Sequence, residues 1–216
     1  MPTILHVSPE SSHSVIQQAV QCIADGGVLA VGTESFYALA TSAFNAGAVT
    51  RVADLKGRTS GKPILVLIGD ASHLSLLVET ISPVAELFIK RFWPGSLTLV
   101  LPTGLDLPFE LTGGTGMVGV RQPGTAFLRS LLIQTGPLTG TSANRAGSPP
   151  GCTANDVQEQ FNDGIDLILD TGPAPGGKPS TLLEIGKAIR VLRQGPVTQG
   201  EIERLLASQG LRLSRE

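Results

Sequence analysis

The sequence predicts an α/β fold with a mixed β-sheet, and three observations lead there. Short apolar runs typical of buried strands alternate with segments of helical periodicity, with glycine or proline between them. Residues 181–185 and 188–193 fit a hairpin, so the sheet is not wholly parallel. Hydrophobic residues make up 41% of the 216 residues, which is enough for a sizeable core. No linker interrupts the pattern, and we expect one domain over residues 1–216.

Helices are predicted where apolar residues recur every three to four positions after a capping residue. Ser11 or Ser12 can cap the first helix, and Gly26-Gly27 ends it. A later helix begins with Ser82 as its cap and Pro83 at its first position. Together these signals predict helices over residues 14–24, 45–55, 71–79, 82–92, 124–134, 153–161 and 198–207.

Strands are predicted from apolar runs that glycine, proline or polar loops bound. The run Val28–Val31 stops at Gly32, where a polar loop over residues 33–37 begins. Gly186-Lys187 suits a two-residue hairpin turn, and residues 106–116 form a glycine-rich loop. The runs predict strands over residues 28–31, 63–68, 97–101, 117–121, 137–141, 165–170, 181–185 and 188–193.

Two polar clusters suggest an anion-binding cleft. Hydroxyls follow the strand that ends at Gly32, and cations follow the helix that begins near Asn45. Arginine suits phosphate oxygens through paired hydrogen bonds, and lysine adds a point charge. Each cluster also has a simpler interpretation, as turn chemistry or as a solvated helix end. The hydroxyl cluster is Thr33, Ser35 and Tyr37 with Glu34 between them, and the cationic cluster is Lys56, Arg58 and Lys62.

Composition excludes several classes of protein. The net charge is −2 with 16% charged residues, so bulk charge does not indicate a polyanion-binding protein. Cys22 and Cys152 lack a C-x-x-C spacing, and we interpret them as reduced thiols of a cytosolic protein. The three histidines lack metal-ligand spacing. No leader and no apolar run of about 20 residues is present, so we expect a cytoplasmic protein without a membrane partner.

Gly172–Lys178 reads GPAPGGK and matches the start of a phosphate-binding P-loop. The next residue must be Ser or Thr, but it is Pro179, and a strand-like segment follows instead of a helix. We therefore reject a P-loop, although Lys178 and Ser180 could contact a ligand in another geometry. Glu34 is the carboxylate of the first loop and could act as a base, a metal ligand or, with more support, a cap.

Several motifs in order give the sequence a resemblance to the YrdC/Sua5 family, the threonylcarbamoyl-adenylate synthases. The motif order covers most of the chain, and no single motif would be specific. Their counterparts here are GTESFYAL at 32–39, KGRT at 56–59 followed by ILVLI, FWPGSLT at 92–98, VGVRQP at 118–123, SANRAG at 142–147, STL at 180–182 and LRQG at 192–195.

The resemblance implies a YrdC/RibB-like twisted open mixed sheet flanked by helices, with a concave basic face. It implies ATP, L-threonine and bicarbonate as substrates, Mg²⁺ as a cofactor, and a partner enzyme that transfers the product's carbamoyl group to adenosine 37 of tRNA. Carried over by position, Lys56 and Arg58 are expected to be catalytic. The nucleotide side is implied to be Lys56, Arg58, Lys62, Ser142, Asn144 and Arg193, and the threonine side Thr33, Ser35, Arg121 and Ser180.

This sequence departs from the family pattern in places that bear on substrate choice. Ser35 replaces a threonine, Thr59 replaces a proline, and Leu67 stands where some members carry a histidine. Two alternatives therefore stay open. The same cleft could bind tRNA or other double-stranded RNA without synthesis, or a related enzyme could act on a different carbamoyl acceptor.

Overall fold

The computed structural model describes residues 1–57 and 61–214, and in this part the chain alternates between strands and helices. A 3-10 helix spans Ala71–Leu76. The strands are β1 Thr3–His6, β2 Leu29–Gly32, β3 Tyr37–Ala40, β4 Val66–Leu67, β5 Leu97–Pro102, β6 Met117–Arg121, β7 Leu138–Thr139, β8 Thr141–Ser142, β9 Leu167–Asp170, β10 Thr181–Ile185 and β11 Ile189–Arg193. The α-helices are α1 Ser12–Ala24, α2 Ala46–Leu55, α3 Pro83–Phe92, α4 Phe109–Thr112, α5 Ala126–Thr135, α6 Ala154–Gln160 and α7 Gln199–Ala207.

The strands form two mixed sheets, which confirms the predicted mixed α/β fold. One sheet has the order β1-β9-β2-β3-β8, and the other has the order β11-β10-β5-β6-β4-β7. Both contain parallel and antiparallel pairs; β10 is parallel to β5, for example, and β5 is antiparallel to β6. The chain passes from one sheet to the other at Gly140, because β7 belongs to the second sheet and β8 to the first.

The core lies against one face of the second sheet and leaves part of the other face for a cleft. Side chains alternate across a strand, so residues two apart share a face. In β6, Val118 and Val120 are buried in the larger apolar cluster of the core. The alternate residues Met117, Gly119 and Arg121 line the cleft instead. The strand period thus places an arginine at the end of an otherwise apolar cleft floor.

Most predicted elements are present, and the differences have local causes. The strand β3 was missed, because Tyr37 was assigned to the polar loop; Gly32 and Tyr37 in fact pair in an antiparallel hairpin. The run 63–68 contains only the two-residue strand β4. The predicted loop 106–116 contains the short helix α4, and the turn between β10 and β11 covers residues 186–188. Short elements such as these give too few residues for a period to be recognised.

The capping of α2 fixes the helix that ends at Lys56. Asn45 Oδ1 accepts a hydrogen bond from the Ala48 amide at 3.0 Å, and Lys56 is the C-cap. We expect Asn45→Ala to lower the free energy of unfolding by about 1 kcal/mol, the usual cost of losing a cap. Chemical denaturation would measure it, with Asn162→Ala, at an exposed position, as the control. Equal stability of the two variants would contradict this assignment.

Over residues 1–57 and 61–214, no helix has the length and apolar character that crossing a bilayer requires.

Candidate functional site

A cleft of about 520 Å³ crosses the exposed face of the second sheet. Its floor is largely apolar, with residues of four adjacent strands and of the segment before β4. Its walls come from the loop after β2, the end of α2 and the segment after β7. The floor residues are Leu65, Leu67, Val100, Met117, Gly119 and Leu182. A cleft of this size with a few polar groups at its edges is typical of a small-molecule site.

Lys56 occupies one wall and holds the 142–144 segment in place. Its side chain is buried, with 8% of the residue exposed. The ammonium Nζ donates to Ser142 O at 2.5 Å, to Asn144 O at 2.8 Å and to Asn144 Oδ1 at 3.1 Å. The interpretation of this lysine as a solvated helix end is therefore wrong. An ammonium with these partners acts as a fixed positive charge within the wall.

Ser142 and Asn144 are ordered by hydrogen bonds within their own loop. Ser142 Oγ donates to Asn144 Oδ1 at 2.6 Å, and Asn144 Nδ2 donates to Arg145 O and Ser148 O. The Ala146 amide donates to Lys56 O at 2.9 Å, which ties the loop back to the helix end. The loop geometry is thus set before any ligand binds.

The first loop forms the opposite wall, and its turn is closed by Thr33. Thr33 Oγ1 accepts from the Ser35 and Phe36 amides and donates to Phe36 O at 2.8 Å. Thr33 and Ser35 both line the cleft, and their hydroxyls are 3.3 Å apart. Turn chemistry therefore accounts for the Thr33 hydroxyl, although both residues also line the cleft. Gly176 N donates to Ser35 O at 2.7 Å and braces the loop from outside.

Arg121 is buried at the end of β6 and has a carboxylate partner. Its Nη2 forms an ion pair with Glu34 Oε1, and its Nε donates to Gly95 O at 2.9 Å. Gly124 N also donates to Glu34 Oε1, at 2.8 Å. Burial acts to raise the pKa of Glu34, but the Arg121 charge and the Gly124 amide outweigh it and leave that pKa below its usual 4.5. Glu34 is thus an ionised counter-ion, not the general base or metal ligand considered from sequence.

Arg193 lies beside Arg121 at the same end of the second sheet. Its Nε and Nη2 donate to Ser180 O at 3.1 and 2.8 Å, and Ser180 Oγ is 2.8 Å from Thr98 Oγ1. The pKa of Arg193 is lowered by partial burial and by the charge of Arg121. Two guanidinium groups that repel one another across a cleft provide a favourable position for an anion.

The cleft therefore brings together distant parts of the sequence. Arg58 lies outside the residues that the structure describes. Lys178 is exposed, and the strand β10 follows it where a P-loop would need a helix. The other predicted site residues all line the cleft: Thr33, Ser35, Lys56, Lys62, Arg121, Ser142, Asn144, Ser180 and Arg193.

Sequence reasoning missed the residues that shape the floor. Gly140 passes so close to β4 that an added Cβ would lie 2.5 Å from Leu67 Cγ. Leu67 therefore contributes an apolar surface to the floor next to this glycine. Nothing in the sequence around a single glycine between two short strands indicates that Leu67 packs against it.

A metal bound by the chain itself does not fit the cleft. Mg²⁺ is usually held by one or two carboxylates together with substrate phosphates. Among the lining residues in the described part of the chain there is no Asp or Glu, and Glu34 is engaged by Arg121. Across that same part, no group of three or more His, Cys, Asp and Glu is arranged to hold a metal.

Comparison with known proteins identifies the family to which this chain belongs. The family model of Sua5, YciO and YrdC proteins, described as "Telomere recombination", matches residues 21–195. The chain belongs to the Sua5/YciO/YrdC family. The family accounts for the motif order, since every motif from the first loop to Arg193 lies within the matched range.

Members of the Sua5/YciO/YrdC family with assigned names are similar over most of the chain. The threonylcarbamoyl-AMP synthase of Pyrococcus abyssi is 34% identical over 95% of this chain, but only 61% of its own length is covered. The putative threonylcarbamoyl-AMP synthase of Mycobacterium tuberculosis strain H37Rv is 33% identical, with 92% of each chain covered. The chain thus spans about three fifths of the first relative and nearly all of the second.

Solved structures of the Sua5/YciO/YrdC family agree with the fold. Sua5 of P. abyssi complexed with L-threonine has a TM-score of 0.89 at 32% identity, covering 99% of this chain and 62% of that one. YciO of E. coli has a TM-score of 0.80 at 26% identity, covering 91% of this chain and 97% of that one.

Proposed function

We propose that this chain is an L-threonylcarbamoyladenylate synthase. It joins ATP, L-threonine and bicarbonate into threonylcarbamoyl-AMP, with release of pyrophosphate and water. The proposal rests on one combined observation. The cleft has cations and hydroxyls at its edges, and the fold matches, with a TM-score of 0.89, a relative whose structure holds L-threonine. The product would serve a partner enzyme that modifies adenosine 37 of tRNA.

The nucleotide occupies the side of the cleft next to α2. There Lys62 supplies a cation at the rim, and Ser142 and Asn144 form the ordered wall. Lys56 contributes a positive charge fixed in that wall, within 3.1 Å of Asn144 Oδ1. Arg58 adds to the charge that a triphosphate requires, on the strength of its sequence motif alone. The resemblance implies Arg193 for the nucleotide side, but its charge interacts with that of Arg121, and we assign it to the carboxylate end.

The amino acid occupies the side next to the first loop. Arg121 and Arg193 attract its carboxylate, and Thr33 and Ser35, on either side of the Arg121 partner Glu34, line the same cleft. Ser180 is buried and lines the cleft. Its carbonyl oxygen accepts a hydrogen bond from Arg193, and its hydroxyl is hydrogen-bonded to that of Thr98. The apolar floor near Leu67 suits the methyl group of threonine.

Catalysis then consists of positioning and charge stabilisation. A carbamate oxygen on the threonine nitrogen must meet the α-phosphorus in line with the departing pyrophosphate, and aligning such groups lowers the barrier strongly. Fixed cations stabilise the charge that develops on the phosphate oxygens. Any Mg²⁺ would come with the triphosphate, since the described cleft lining offers it no carboxylate. We further propose that residues 1–216 act as one domain in the cytoplasm.

The experiment is pyrophosphate release from ATP with bicarbonate, measured with and without L-threonine. We expect release to depend on threonine and bicarbonate together. A panel of other amino acids serves as the control and separates a threonine enzyme from one with another carbamoyl acceptor. Release that is indifferent to every amino acid would exclude the synthase, and a preference for a different amino acid would replace threonine.

A further inference from the structure

Glu34 has no part in the function proposed above, yet its surroundings are unusual. Its side chain is 23% exposed, and Oε1 meets both Arg121 and the Gly124 amide. Its second oxygen, Oε2, is buried and has no hydrogen-bond partner among the residues that the structure describes. A buried carboxylate oxygen without a hydrogen-bond partner lowers the stability of the folded protein, which indicates that Glu34 is present for a function.

The contacts of Glu34 fix how Arg121 faces the cleft. Nη2 of the guanidinium is directed to Glu34 and Nε to Gly95 O, while the residue lines the cleft. The hydrogen bond at Nε and the ion pair at Nη2 together restrict the orientation of this planar guanidinium. Glu34 itself is not among the lining residues, although Arg121 and both sequence neighbours of Glu34 are.

Glu34 also sets the charge of this end of the cleft. Arg193 and Arg121 are the last residues of β11 and β6, which run in the same direction, so both lie at one end of the second sheet and line the same cleft. One ionised carboxylate paired with Arg121 leaves a net charge of about +1 by simple counting of charged groups. A charge of that size matches one carboxylate and not a doubly charged phosphate group.

We propose that Glu34 is a positioning and selectivity residue, which orients Arg121 and adjusts the arginine pair to bind a single carboxylate in preference to a dianion. The inference rests on the proposed function, because it assigns the amino-acid carboxylate to this end of the cleft. It explains how one cleft keeps the carboxylate end distinct from the phosphate end when both are lined by cations.

The test compares L-threonine with sulfate, a dianion, in the wild-type chain and in Glu34→Gln. Isothermal titration gives the threonine affinity, and competition by sulfate gives the sulfate affinity at the same place. Added positive charge acts twice as strongly on a dianion as on a single carboxylate, whereas lost positioning weakens both. We therefore expect the ratio of sulfate affinity to threonine affinity to rise about tenfold in Glu34→Gln.

Asp166→Asn is the matched control. Asp166 also pairs with an arginine, Arg51, and accepts from a backbone amide, that of Val28, but this pair lies at the opposite end of β2 from the cleft. Its ratio should equal that of the wild type. An unchanged ratio in Glu34→Gln, or an equal rise in both variants, would overturn the proposal.

Failure of the proposed function gives a different result. If the wild-type chain does not bind L-threonine, the proposed acceptor is wrong. Direct sulfate titration then still tests Glu34, since sulfate must bind more tightly to Glu34→Gln than to Asp166→Asn. Equal sulfate affinities in that comparison would overturn the role of Glu34 on their own.

Discussion

Replacing Arg121 by methionine is expected to lower the free energy of unfolding by about 3 kcal/mol, because it leaves the carboxylate of Glu34 buried without its counter-ion. The value is at the lower end of the range for broken buried pairs, since the Glu34 side chain keeps 23% exposure. For a chain of this length the melting temperature falls by about 6–12 °C. Threonine binding is lost as well, and calorimetry measures both effects.

The pH dependence of this loss has a definite sign. In the wild type the pKa of Glu34 is below 4.5, so its contribution is complete above that pH and is lost as the pH falls through the lowered value. In Arg121→Met, burial raises the pKa of Glu34 because the opposing charge is gone. The destabilisation caused by its buried carboxylate then disappears as the pH falls and the carboxyl takes up a proton. The stability gap between the two proteins should therefore narrow from pH 7 towards about pH 4.5.

The double variant Arg121→Met with Glu34→Gln separates the ion pair from simple packing. Removing the buried charge along with its partner should restore most of the lost stability, because no uncompensated carboxylate remains. Threonine binding should stay absent. If the double variant is as unstable as Arg121→Met alone, the loss comes from packing of the arginine side chain and not from the charge of Glu34.

Replacing Lys56 by methionine is expected to reduce synthase activity at least about 100-fold, since a displaced wall misaligns the reacting groups. The substitution removes the donor from Ser142 O, Asn144 O and Asn144 Oδ1 while keeping most of the side-chain volume. Hydrogen bonds to a charged group contribute about 1.5–3 kcal/mol, so the free energy of unfolding should fall by a similar amount.

Lys187→Met is the control, because Lys187 is exposed in the turn between β10 and β11. It removes the same charge from the chain and should change neither activity nor stability. Steady-state kinetics of pyrophosphate release and chemical denaturation provide the two measurements. Activity of Lys56→Met within threefold of the control would show that the 142–144 wall does not depend on this ammonium.

The general features of the fold could be read from the sequence because they follow from periodicity. The alternation in Met117–Arg121 fixes which residues face the core and which face the cleft, and the run of residues is long enough to show it. The motif order then indicated which distant residues meet, and the cleft contains all of them within the described part of the chain. Their individual roles in binding stay predictions.

The local chemistry of the site could not be read in the same way. Nothing in the spacing of Glu34 and Arg121 indicates that they pair, since their contact depends on how the two sheets are placed. The buried position of Lys56 likewise depends on carbonyl oxygens of a loop 86 residues further along the chain. Strand β3 was not predicted because a run of only four residues is too short to show a period. It forms a strand through its antiparallel hydrogen bonds with β2.

Gly140 joins the two sheets within a single residue, between β7 and β8, and its amide donates to Leu65 O at 2.8 Å. The segment that contains Ser142 and Asn144 therefore continues directly from the sheet that carries the arginine pair. An added Cβ at Gly140 would lie 2.5 Å from Leu67 Cγ, so a side chain at this position would push the cleft floor away from that segment. The absence of a side chain at one residue is thus a condition for the shape of the whole cleft.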